Sequence, residues 1–391
     1  MKMRYANTHS NQKNSTITVR VMCAIVFCLF SFCWLYWSQA DVMAVTQHVL
    51  SGGATRYDRT VGAVLITAVL QVLQLIVSNV TGLYRRTHAL TYLPSMLLLA
   101  LMSSISTDIA EKGFSLGAWC WTLPLILLGW GVCVWFAKQL LPFQTDKEPL
   151  GVFARRSWVN MLQMVVMMLF VAMIGNTNAA EHFRAHLETA LQKKDVDEAL
   201  RTGRKSQETN VHLTMLRAYA LSLKGELGER LFEYPIVGQG NDLLPLPTSR
   251  SRLLLLPSDT LFMHLGAIPR GSLKASRYYD LLERDSFATS AVADYRLCGL
   301  LVDRQLDAFA RVLPRYYAVN DSLPKHYKEA LTLYTHQRSK PTIVFRNAVL
   351  DEDWQDFQQL TNRYPDLNER KGKIEEHYAM SYWYYYFYQK K

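Results

Sequence analysis

Apolar positions run almost unbroken through five long stretches in the first 175 residues, then fall into a helical period for the remaining 216. The stretches are 17–37, 61–84, 89–107, 116–136 and 158–175. Each is close to the ~17–25 residues with which a helix crosses about 30 Å of hydrocarbon. In lipid the backbone must satisfy its own hydrogen bonds, so these stretches predict transmembrane helices. Trp34, Tyr36, Trp37, Tyr84, Tyr92, Trp135, Phe136 and Trp158 stand near their ends, as an interfacial aromatic belt requires. Pro94 and Pro124 fall inside the third and fourth stretches and are expected to kink them.

Beyond residue 175 the pattern is amphipathic. Leu213, Leu216, Ala220 and Leu223 share one helical face, and similar segments span 195–206, 226–234 and 368–390. Prolines from Pro235 to Pro365 interrupt the pattern at short intervals and predict helix pairs joined by tight turns. A weak repeat supports this. Asp195-Val196, Glu226-Leu227 and Gln305-Leu306 each place an apolar residue just after a helical stretch. The step resembles the inter-helix turn of tetratricopeptide repeats, with degenerate units and most of that family's Trp, Gly and Pro positions missing. The expected fold class is all-α: about five transmembrane helices (17–175) behind a short tail (1–16), then a TPR-like helical-hairpin domain (176–391).

Charge sets the expected orientation. Lys2, Arg4, Lys13, Arg20, Arg85, Arg86, Lys138, Lys147, Arg155 and Arg156 fall on one side of the predicted spans; only Arg56, Arg59 and Lys112 fall on the other. This asymmetry places the N-terminus in the cytoplasm of a bacterial inner membrane. After five crossings residues 176–391 are extracytoplasmic. The net charge of +10 is largely this signal, because 13 Lys and Arg face only 6 Asp and Glu in residues 1–175 while the counts beyond are 30 and 27. Without a basic stripe in the second half, nucleic acid is excluded as a partner. Ser38-Gln39-Ala40 resembles a signal-peptidase site, but the long Trp-rich run before it favours a retained anchor. Five of the six cysteines lie in the spans, and Cys298 alone cannot form an internal disulfide in the second half.

Candidate chemistry is sparse. Gly113-Phe114-Ser115-Leu116-Gly117 spells a nucleophile elbow without the strand–turn–helix it needs, and Ser322-Leu323-Pro324-Lys325 lacks the partner motifs of penicillin-interacting enzymes. His182 and His186, with Glu181 or Glu188 nearby, share a helix face but have no second cluster to complete a zinc site. Gly238-Gln239-Gly240 has no helix behind it to hold a phosphate. Ionisable residues are missing from the span centres, which lowers a transporter reading. Gln71, Gln74, Ser78, Asn160 and Gln163 fit interhelical hydrogen bonding instead. No catalytic, cofactor-binding or metal-binding residue is assigned.

Eight of the eleven residues from Tyr378 to Tyr388 are aromatic. They are read either as a cap packed on the last helix pair or as a contact surface carried by Tyr378, Tyr382, Trp383, Tyr385 and Tyr386. The order of parts, the stretch from Leu216 to Phe232 and the Tyr-rich ending resemble multi-pass membrane proteins of unknown function from Bacteroidetes-type bacteria. That resemblance implies no activity. The expected function is a membrane protein whose helical-repeat domain binds a protein or peptide. The alternatives are an enzyme or glycan-processing component with a site at the membrane-facing junction, and a transporter.

Overall fold

The computed structural model describes residues 2–105, 116–140 and 154–389, with side chains from residue 17 onward. Every regular element among them is helical, and the chain divides into two compact units, Met1–Asn178 and Ala179–Lys391.

In the first unit α1 (Lys2–Cys33) continues through a π-turn at Trp34–Ser38 into α2 (Ala40–Leu50), with Gln39 and Ala40 buried at the junction. There follow α3 (Arg59–Thr81), a 3₁₀ helix (Arg85–Tyr92) leading into α4 (Leu93–Ser103), α5 (Trp119–Leu140) and α6 (Arg155–Ile174). Among the described residues four helical stretches are long and apolar enough to cross a membrane: Ile17–Ser38, Arg59–Thr81, Trp119–Leu140 and Arg155–Ile174. The third predicted stretch is not a single helix. Pro94 lies in the first turn of α4, where a missing N–H is harmless, so it starts a helix instead of kinking one. Ahead of it the 3₁₀ turns are held by α6: Ala89 N–H donates to Asn160 Oδ1 (2.8 Å), and Asn160 Nδ2 donates to the Arg85 carbonyl (2.7 Å).

These bonds also fix direction within the unit. Arg85 and Arg156 meet at one end through Asn160. At the other end Trp34 Nε1 donates to Ser103 Oγ (2.8 Å), Asn176 N–H to the Ser103 carbonyl (2.7 Å), and Arg59 Nε to the Tyr36 carbonyl (2.5 Å). Residues 17–38, 85–103 and 155–174 therefore run one way and α3 the other. The later half of α5 packs Val134 and Ala137 beside Leu83, so it too runs against the first three. Between helices, Gln74 Nε2 donates to Thr91 Oγ1 (2.9 Å), as the sequence predicts for these amides, while within α3 Gln71 Nε2 donates to Gln74 Oε1 (3.0 Å).

The second unit holds α7 (Ala179–Gln192), α8 (Val196–Arg201), α9 (Val211–Leu223), α10 (Leu227–Arg230), α11 (Ser258–Leu265), α12 (Ala275–Arg284), α13 (Ser290–Val302), α14 (Leu306–Val312), α15 (Lys325–Gln337), α16 (Ala348–Arg363), α17 (Leu367–Tyr378) and α18 (Tyr382–Tyr388). One apolar core runs from Leu187 to Tyr385. The segments 195–206 and 226–234 give shorter helices than predicted. The segment 368–390 splits in two, because Ser381 adopts an extended backbone and accepts the Tyr384 N–H on its hydroxyl, starting a new helix.

The helix pairs share one turn. After α7, α9, α12 and α13 the chain enters the left-handed region at Lys194, Gly225, Ser286 and Arg304 (φ 62, 69, 60 and 57°). At each, that residue's N–H bonds three residues back and the next N–H five back: Gly225 to Ser222 and Glu226 to Leu221, for example. This is the Schellman arrangement, which satisfies carbonyls the helix end would leave bare. In three of the turns a buried or half-buried apolar residue follows: Val196, Leu227 and Leu306. Glycine suits the left-handed position only at Gly225. Lys194 is exposed there and carries the strain of its Cβ. Lys194→Gly is expected to raise stability by about 0.5–1 kcal/mol, read as a higher denaturant midpoint at unchanged slope.

An irregular segment between α10 and α11 is bound to α7 by a buried pair. Glu188, fully buried, accepts the N–H groups of Leu254 (2.9 Å) and Leu255 (2.6 Å). Arg184 lies 3.6 Å from the same carboxylate and donates to the Arg252 carbonyl (2.9 Å). Burial pushes the Glu188 carboxyl above its ordinary range, against Arg184 and the amides.

Candidate functional site

The aromatic ending folds inward. Tyr382, Trp383, Tyr384 and Tyr385 are buried. Tyr382 N–H donates to Glu329 Oε2 (2.7 Å) and Trp383 Nε1 to the Glu329 carbonyl (2.8 Å), fastening α18 to α15. The Tyr382 and Tyr385 hydroxyls donate to the carbonyls of Leu301 (3.2 Å) and Val302 (2.7 Å) at the end of α13. Arg304 closes the other side, with a bond to the Tyr385 carbonyl (3.1 Å) and its guanidinium 5.2 Å from that ring. Phe232 packs against both Tyr382 and Tyr385, with ring centroids 4.9 and 4.8 Å away. So α18 lies among α13, α15 and the 231–233 turn. Of the five residues read as a contact surface, Tyr382, Trp383 and Tyr385 are enclosed, while Tyr378 and Tyr386 stay half-exposed. Beside them Met380 and Phe387 are 49% and 46% exposed. Tyr378 and Phe387 are backed by Trp354 and Phe357 of α16 and Phe387 packs on Tyr386, so these three rings form a partly open aromatic rim, with Met380 exposed two residues beyond Tyr378.

A polar cluster lies within the same half of the unit. Asp294 Oδ1 accepts from Tyr317 (2.7 Å) and Tyr327 (2.8 Å), and the Tyr327 hydroxyl is 3.5 Å from Cys298 Sγ. Burial pushes the Cys298 thiol well above its ordinary range, so at neutral pH it is a protonated thiol and a poor nucleophile. Burial likewise raises Asp294, opposed by the two phenols. A carboxyl raised in the folded state takes up a proton that the unfolded chain does not, so its ionisation weakens the fold as pH rises through the folded value. Asp294→Asn keeps the acceptor without the charge. Melting curves between about pH 4 and pH 7 should show a smaller loss of stability in the variant than in the parent.

The other sequence candidates do not converge. His186 pairs with Glu198 of α8 (3.3 Å) while Glu188 faces the opposite segment, and among the described residues no group of three metal-ligating side chains forms. Asn320 Oδ1 accepts the Ser322 N–H (3.0 Å) in an exposed turn ahead of α15. Gly113, Phe114 and Ser115 lie outside the described residues. Sequence reasoning missed His88 and the buried pair His326–Glu329. His88 stands one residue before the third apolar stretch, and only the 3₁₀ winding carries it inside.

No curated protein and no solved structure matches the chain. Residues 274–389, from the residue before α12 through α18, match the model of a family of unknown function (DUF6057).

Proposed function

We propose that this is an integral membrane protein that presents a degenerate TPR-like helical domain to a protein or peptide partner outside the cytoplasm. The observation that carries the reading is the shared Schellman turn after α7, α9, α12 and α13, the kind of recurrence expected of stacked helical hairpins. The partly open rim at Tyr378, Tyr386 and Phe387 is the favoured contact, since exposed aromatic clusters mark interaction sites. Cys298 and Asp294 are bound into the core, which favours this reading over an enzyme.

Five crossings remain the preferred topology. Eight residues of 3₁₀ and eleven of α-helix extend about 32 Å, close to the bilayer's hydrocarbon thickness. The alternating directions of the five stretches fit that count, and Arg85 and Arg156 meet at the end assigned to the cytoplasm.

Two experiments test the reading. A membrane-impermeant thiol reagent should label a cysteine at the exposed Arg338 from outside and miss one at Lys147; the reverse pattern sinks the topology. Ser249 is buried against Ser251 and unsuitable as a probe. A photo-crosslinker at Phe387 in native membranes should yield a discrete protein adduct. If neither Phe387 nor Tyr386 captures anything, the rim is not the contact.

A further inference from the structure

Residues 263–287, spanning the end of α11, the loop after it and α12, surround an open cleft of about 630 Å³. Met263, Ile268 and Phe287 line it and are 60, 48 and 60% exposed. Phe287 breaks the pattern of its own turn. At the same step the sibling turns carry Asp195, Glu226 and Gln305, all polar.

The frame that holds these side chains out is built, not slack. Phe287 N–H bonds the Leu282 carbonyl (2.9 Å), and Thr289 N–H bonds the Leu265 carbonyl (3.1 Å). Gly266 passes so close that a Cβ there would meet the Phe287 carbonyl oxygen at 1.9 Å, so only glycine admits the approach. The Tyr278 hydroxyl donates to the Ala267 carbonyl (2.5 Å), fixing the loop beside Ile268.

Charge around the cleft is sorted. The acidic residues of α12 and the turn after it are committed, Asp280 and Glu283 to Arg296 and Asp285 to Arg284, and Asp259 of α11 is the exposed carboxylate one turn before Met263. Arg270, Lys274 and Arg277 are exposed and have no acidic partner among the described residues. Rigid apolar tips fringed by uncommitted cations match an anionic bilayer surface, where phosphate headgroups overlie the acyl boundary.

We infer that this surface docks on an anionic lipid bilayer, with Met263, Ile268 and Phe287 entering the acyl boundary and Arg270, Lys274 and Arg277 meeting lipid phosphates. The inference rests on the membrane-embedded reading above, which keeps the second unit tethered near lipid and makes even weak contacts effective.

The test uses the full chain in nanodiscs of phosphatidylcholine alone or with phosphatidylglycerol. Ile268→Cys, with the exposed Cys120 and Cys133 replaced by serine, is labelled with a polarity-sensitive fluorophore, and the chain without the new cysteine sets the baseline. Phe287→Cys reads the same surface should the first variant fold poorly. In anionic discs the emission should shift to the blue and be quenched by spin-labelled lipid. Each of Arg270→Gln, Lys274→Gln and Arg277→Gln should weaken the contact about fivefold, and salt should weaken it further. Unquenched emission in anionic discs overturns the inference. A blue shift without lipid quenching overturns it too, assigning the patch to a second copy, a protein partner or an apolar ligand. Extraction of the chain from membranes by alkaline carbonate refutes the embedding instead, and the quench at residue 268 is read independently of it.

Discussion

Removal of residues 377–391 is expected to leave the second unit unable to fold, seen as aggregation on purification or loss of the cooperative melt. The deletion takes away four enclosed rings, Tyr382 to Tyr385. At ~150–250 Å² per ring and ~25 cal/mol per Å², their burial contributes roughly 15–25 kcal/mol before ordering entropy. Fixing the seven residues of α18 costs about 10 kcal/mol, so the net still rivals the ~5–15 kcal/mol that separates a folded domain from its unfolded chain. The deletion also strips Glu329 of the Tyr382 amide and exposes Phe232. Phe387→Ala is the contrast. Its ring is half in solvent, so stability should fall by no more than about 1–2 kcal/mol while any partner contact is lost. If the truncated chain melts like the parent, α18 is a contact element and not part of the core.

Glu188→Ala should destabilise the second unit by about 3–5 kcal/mol, measured by denaturant unfolding. The substitution abandons the Leu254 and Leu255 amides and leaves Arg184 buried without its carboxylate. Glu188→Gln keeps an acceptor and should lose less. A double variant, Arg184→Met with Glu188→Leu, removes both charges together. It should recover much of the loss, because the penalty lies in a buried charge deprived of its carboxylate more than in the missing attraction. Equal losses in the single and double variants would show that the amide bonds, and not the charge, set the cost.

Much of the architecture is legible in apolar spacing, because a helix apolar enough to cross a membrane leaves an unbroken run and an amphipathic helix imposes a period on its own residues. The turns at Asp195, Glu226 and Gln305 could be found because each is followed by an apolar residue the core demands. The fourth, at Ser286, carries no such sign, because Phe287 occupies the polar step and the exposed Ala288 follows it. The 3₁₀ winding at Arg85–Tyr92 was not readable, since it depends on Asn160, 71 residues beyond Ala89. The aromatic ending was conspicuous, but which rings turn inward is decided by distant groups, Glu329 and the end of α13. Ser381 did offer a local sign of the break, as a capping residue before the run.

The packing of Tyr382 and Tyr385 against Phe232 also has a temporal side. Some 150 residues of chain separate the two halves of that contact, which includes a T-shaped ring pair. At ~5–20 residues per second a ribosome takes roughly 8–30 s to make them. Throughout that interval Phe232 lacks its covering, as does the end of α13 once it has been made, so the nascent domain presents an apolar slot that a chaperone must occupy or an aggregate will. Slowing translation ahead of residue 377 should therefore lower the yield of folded protein, and chaperone occupancy should drop once the last tyrosines emerge.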